Sequence, residues 1–100
     1  MVNLNNSTPL DLNVLRGWQR SQLKLLKEFT ANRLVSQTRL SGASGLPQGS
    51  HAMGGKITAL TRANFIVKAG RDENKNWLWQ LNEDRVKRND LEDFFKKLGI

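Results

Sequence analysis

Phe65-Ile66-Val67-Lys68-Ala69-Gly70-Arg71-Asp72-Glu73-Asn74-Lys75-Asn76-Trp77-Leu78-Trp79-Gln80-Leu81 is the stretch whose reading decides the fold. Two apolar ends flank a wholly polar hexapeptide, Arg71 to Asn76. On one reading, Ile57, Leu60, Ala63, Ile66 and Val67 recur three or four apart and predict a helix from about Thr58 to Ala69, stopped by Gly70. Asp72 then caps a second helix with Trp77, Leu78, Leu81 and Val86 on its buried stripe. On the other, Asn64 to Ala69 and Trp77 to Asn82 are strands and the hexapeptide is their hairpin loop, so that Trp77, Trp79 and Leu81 share one face. Phe65-Ile66-Val67 is β-prone, which keeps the hairpin open beside the favoured helices.

Downstream, Leu91, Phe94, Phe95 and Leu98 lie on one face of a terminal helix. Asn89 or Asp90 is its expected cap, Lys96 and Lys97 occupy its last turn, and Gly99 ends it. Upstream, Thr8-Pro9-Leu10-Asp11 is a start signal, because Thr8 can accept from orphan N–H groups and Pro9 needs no donor at the first helical position. From there Leu15, Trp18, Leu25, Leu26, Phe29 and Leu34 follow a 3.6 period, which predicts a long amphipathic helix from Pro9 to about Leu40, with a bend at Gly17. Arg16, Arg20, Lys24, Lys27 and Arg33 make its other face basic.

Between these parts, Ser41 to Gly55 has five glycines, three serines and no charge, the composition of a flexible linker. Gly49-Ser50-His51-Ala52-Met53-Gly54 also resembles the remnant left by cloning vectors, so residues 41–55 read either as a natural loop or as the join of an engineered fusion. The expected organisation is therefore mainly α: an N-terminal amphipathic helix at 1–40, a linker at 41–55, and a small basic helical domain at 56–100 with room for one β-hairpin. At 100 residues, 38% of them hydrophobic, the chain can bury one modest core and cannot form a two-domain cleft.

A helix, an Ala69-Gly70 turn, a polar stretch and then an apolar-plus-polar helix is the layout of a helix-turn-helix, whose second helix offers polar side chains to the major groove. The segment Leu60 to Gly70 followed by Trp77-Leu78-Trp79 resembles the helix-turn-helix regions of bacterial regulators and mobile-element accessory proteins, over about twenty residues, 60–79. The resemblance implies duplex DNA as partner and a regulatory or accessory role. Six residues separate Gly70 from Trp77, one or two more than that family usually shows. Within this layout Asn76 and Gln80 stand one helical turn apart, where two amides can pair with adenine edges. Arg71, Lys75, Arg85, Lys87 and Arg88 are the expected phosphate contacts, with Glu83, Asp84 and Asp90 interspersed.

Charge agrees with a polyanionic partner, since sixteen Lys and Arg against nine Asp and Glu give +7. Catalysis finds little support. No cysteine is present, and His51 is the lone histidine, set in the Gly/Ser segment where nothing holds its tautomer. Residues 42–55 lack the Lys-Ser or Lys-Thr pair of a phosphate loop, and Glu92 and Asp93 are adjacent and so point apart on a helix. No enzyme activity, cofactor, metal or small-molecule substrate is expected. The chain has no run of 18 apolar residues, and Met1 to Asn6 lacks a secretory pattern, so no membrane is expected and the anticipated location is cytoplasmic, or nucleoid or nuclear when DNA-bound. A second function class stays open. In it the apolar face Leu15, Trp18, Leu25, Leu26 and Phe29 packs in a groove of the C-terminal segment, on a helical partner or on a second copy.

Overall fold

In the computed structural model, which describes residues 8–47 and 50–100, the decisive stretch is a hairpin. Strand β2 (Ile66–Arg71) pairs antiparallel with β3 (Trp77–Leu81), and the hexapeptide is trimmed to the loop 72–76. Of the helical reading of 58–69 and 72–86, only 58–62 is helical, as the end of a helix spanning His51–Arg62; strand, loop and turn replace the rest. Asn64, at φ +66, takes the left-handed conformation that an amide side chain tolerates, and turns the chain sharply out of the preceding helix into β2. The loop closes on itself, because the Asp72 carboxylate accepts from the N–H groups of Asn74 and Asn76, each at 2.9 Å. Asp72 is a cap, but of a loop.

The elements before the hairpin are a 3-10 helix (Leu12–Gly17), α1 (Arg20–Ala31), the two-residue strand β1 (Val35–Ser36), α2 (Gln37–Ser44) and α3 (His51–Arg62), and α4 (Arg88–Leu98) follows it. β1 joins the free edge of β3 antiparallel, giving a three-stranded sheet in the order β1-β3-β2. The fold is mostly helical with one small sheet.

The long helix expected over 9–40 is broken twice. Trp18 and Gln19 are extended after Gly17, and Asn32 is extended after α1, where its amide donates to Glu28 O at 3.1 Å. A 3.6 period cannot reveal these breaks. Leu15, Leu26 and Leu40 are eleven and fourteen residues apart, close to whole numbers of turns, so the stripe stays in phase across them. The first element is capped by Asp11, which accepts from Asn13 N at 3.0 Å, rather than by Thr8. Ser7 and the segment 1–6 lie outside the described residues.

The segment expected as a linker is largely helical. Residues 41–44 finish α2 and residues 51–55 begin α3, while 48–49 lie outside the described residues. Ser36 Oγ caps α2 through Arg39 N, Gly45 (φ +72) ends that helix, and Ser50 Oγ caps α3 through Met53 N at 3.2 Å. Met53, Ile57 and Leu60 then bury one face of α3, so the glycines of this stretch sit on a helix anchored from its other side. α4 begins after Lys87, whose side chain makes no capping bond, rather than at Asn89 or Asp90; Gly99 ends it in the left-handed region.

One core runs through the described residues from the 3-10 helix to α4. Leu15, Leu25, Leu26, Phe29 and Leu40 are fully buried in the same cluster as Met53, Leu60, Ile66, Trp79, Leu91 and Phe95. Gln22, the one buried polar residue among the described residues, is satisfied by donating to Lys56 O at 2.8 Å and so ties α1 to α3. Among the described residues no helix is long and apolar enough to cross a membrane.

Candidate nucleic-acid interface

α2 and α3 are consecutive helices joined by residues 45–50, and α3 turns one face inward. With Met53, Ile57 and Leu60 buried, the 3.6 period places His51, Gly55, Thr58 and Arg62 on the outward face, and all four are exposed. Nothing in the fold lies within 4 Å of where a Cβ would sit on Gly54 or Gly55. Among the described residues, none covers that face there.

The hairpin stands beside it. Between α3 and the hairpin runs a groove of about 470 Å³, lined by Gly54, Thr58, Thr61 and Arg62 on one side and Lys68 and Trp77 on the other. Lys68 Nζ lies 4.0 Å and the Arg71 guanidinium 4.1 Å from the Trp77 ring centroid. Arg62, Lys68 and Arg71 form no ion pair with a carboxylate among the described residues, so the groove and its rim are electropositive.

The seven residues expected to contact DNA are not brought together. Arg71, Lys75 and Asn76 belong to the hairpin end; Lys75 is exposed at φ +65 in the loop, and Asn76 is half-buried beside Asp72. Asn76 and Gln80 are not one helical turn apart. Gln80 lies on a strand opposite Val67, on the other face of the sheet from Trp77 and Trp79. There it borders a hollow of about 260 Å³ with Arg33, Glu83, Asp84 and Arg88, whose carboxylates offset the cations.

Arg85 and Arg88 are already engaged. Arg85 Nε donates to Thr8 O at 3.0 Å, and Leu10 N donates to Arg85 O at 2.8 Å, which pins the N-terminal segment to the loop before α4. Arg88 donates to Phe29 O and pairs with Glu83 at 2.8 Å. Lys87 remains exposed at the start of α4, away from the groove.

Trp18 stands with its ring edge-on to Phe65, centroids 5.3 Å apart, and is half-buried. The other four residues of the expected interaction face, Leu15, Leu25, Leu26 and Phe29, are wholly buried in the chain's own core. His51 opens α3 on its outward face instead of sitting in a flexible segment. The residues that sequence reasoning passed over are Thr58, Arg62 and Lys68. The available signal was Ser50 three residues before Met53, followed by the Met53, Ile57, Leu60 spacing, which together announce a helix starting at His51. Among the described residues no group of three or more His, Asp or Glu side chains could hold a metal ion.

Comparison with known proteins adds no relative: no family model, curated protein or solved structure matches the chain.

Proposed function

We propose that the chain is a non-enzymatic, duplex DNA-binding module of regulatory or accessory type, in which the exposed face of α3 meets the duplex and the β2-β3 hairpin flanks it. The carrying observation is the pairing of an uncovered polar face on α3 with an electropositive groove and hairpin beside it. An α-helix fits the major groove, and a helix that offers His51, Thr58 and Arg62 while its opposite side is locked into the core is held rigidly for that docking. Lys68, Arg71 and Lys75 would meet phosphates alongside, positioning the module without specifying sequence. The second helix that the resemblance over 60–79 implied is the β2-β3 hairpin in this fold, so the proposal rests on α3 and the hairpin and not on a helix-turn-helix at those residues.

In the alternative, an interaction module, the branch in which the stripe packs on the C-terminal segment accords with Leu15, Leu25, Leu26 and Phe29 sharing one core with Phe65, Leu91 and Phe95, which leaves the half-buried Trp18 as the part of that face open to a helical partner or second copy. The test is retardation of a short duplex by the full chain as salt is varied. The expected outcome is micromolar or tighter binding at low ionic strength, with log K falling linearly in log salt at about 0.9 unit per phosphate contact. Absence of salt-dependent binding refutes the proposal.

A further inference from the structure

We infer that Trp77 is a positioning residue that clamps Lys68 and Arg71 into a phosphate-binding pair, whose ligand is the phosphodiester oxygens of the duplex seated on α3; the inference rests on the DNA-binding reading above.

Lys68 and Arg71 are three apart, a spacing that places two side chains on opposite faces of a regular strand. The register shift between Lys68 and Gly70 alters this. Lys68 pairs with Trp79, Gly70 with Leu78 and Arg71 with Trp77, so one extra residue on β2 brings both cations to the face that carries both tryptophans. Gly70 permits the bulge at φ +110, a conformation that other residues rarely adopt.

The result is electrostatically one-sided. Distances of 4.0 and 4.1 Å to one ring put the two cationic centres within about 8 Å of each other, inside the Debye length at physiological salt. The nearest acid in sequence, Asp72, spends a carboxylate oxygen on the loop N–H groups of Asn74 and Asn76. Two like charges gathered against one indole ring, with no carboxylate partner among the described residues and with Lys68 lining the same groove as Arg62, form a site for an oxyanion. Guanidinium supplies a flat fork and ammonium a point charge, and both suit a phosphodiester. The Trp77 ring lowers the entropy lost when these long side chains are fixed on the ligand.

The experiment compares Trp77→Leu, Trp77→Phe and the double variant Lys68→Gln/Arg71→Gln with the parent chain, using a fluorescent 20-base-pair duplex across a salt series and inorganic phosphate as the small-anion probe. The double variant touches only exposed side chains and keeps the test decisive should Trp77→Leu unfold. Expected for the double variant is weaker binding with a salt slope shallower by about two units, one per lost phosphate contact. Trp77→Leu should lose roughly tenfold in affinity although both cations remain, Trp77→Phe should recover most of it, and Trp77→Leu added to the double variant should cost little more. Wild-type affinity and slope in the double variant, or full additivity of the Trp77 and cation changes, would overturn the inference. A parent chain that ignores duplex DNA overturns the functional reading. If it then binds inorganic phosphate with a fluorescence change lost in the double variant, the pair is a free-anion site and its assignment to the duplex is wrong.

Discussion

At Arg88 the guanidinium donates to the Phe29 carbonyl and pairs with Glu83, whereas Arg71, seventeen residues earlier, lies over an indole with no acidic partner among the described residues. The two arginines should therefore respond in opposite ways. Arg88→Ala leaves a part-buried carbonyl short of its donor and is expected to cost about 1–3 kcal/mol in urea unfolding, with the salt slope of duplex binding unchanged. Arg71→Ala is expected to leave unfolding within about 0.5 kcal/mol of the parent, as surface changes do, and to shallow the slope by about one unit. A shallower slope for Arg88→Ala would return that residue to the binding surface. Sequence alone cannot make this distinction, because a cation's availability depends on which distant carbonyl it meets, and Phe29 is 59 positions away. Gly70 belongs to the same scale. Gly70→Ala forces a Cβ onto φ +110 and is expected to destabilise by about 1–3 kcal/mol, although nothing lies within 4 Å of the added methyl.

Among the elements, α3 carries an internal contradiction. Gly54 and Gly55 sit in its first half, where glycine costs about 1 kcal/mol each relative to alanine, and the space around both is open. Gly54→Ala/Gly55→Ala should accordingly raise unfolding stability by about 1–2 kcal/mol. A fall in stability would mean that α3 is not helical there. Those same glycines made the segment read as a linker, since composition registers the missing side chains and not the Ser50 cap or the buried Met53 that hold the helix from within. α1 was more legible. Its buried positions Leu25, Leu26 and Phe29 all belong to the stripe the period marks, and Phe29→Ala is expected to cost about 3–5 kcal/mol. Its limits were hidden because Leu15, Leu26 and Leu40 stay in helical phase across two breaks. The hairpin was legible only as an alternative. Isoleucine and valine at 66 and 67 suit either state, and the choice falls to the pairing of β3 with β1, a contact some forty residues distant in sequence.

For the molecule as a whole, a single core joins residues on both sides of the expected linker, so Phe29→Ala should unfold the chain in one transition in which α4 and α1 are lost together. The same core decides which surface remains. It absorbs Leu15, Leu25, Leu26 and Phe29 of the apolar stripe of residues 9–40, with Trp18 half-buried and Leu34 exposed, and leaves outward the polar face of α3 and the cationic side of the hairpin. Net charge pointed to a polyanion, but the binding residues read from sequence were spread over 71–88, and the fold commits part of that set to its own carbonyls and carboxylates. The most direct test of the central claim is a backbone amide NMR titration of the full chain with a short duplex at low salt. The account predicts progressive shifts concentrated in His51–Arg62 and in residues 68–77, with α4 nearly still. Shifts centred on residues 83–98 with α3 unmoved, or no shifts anywhere, would contradict it.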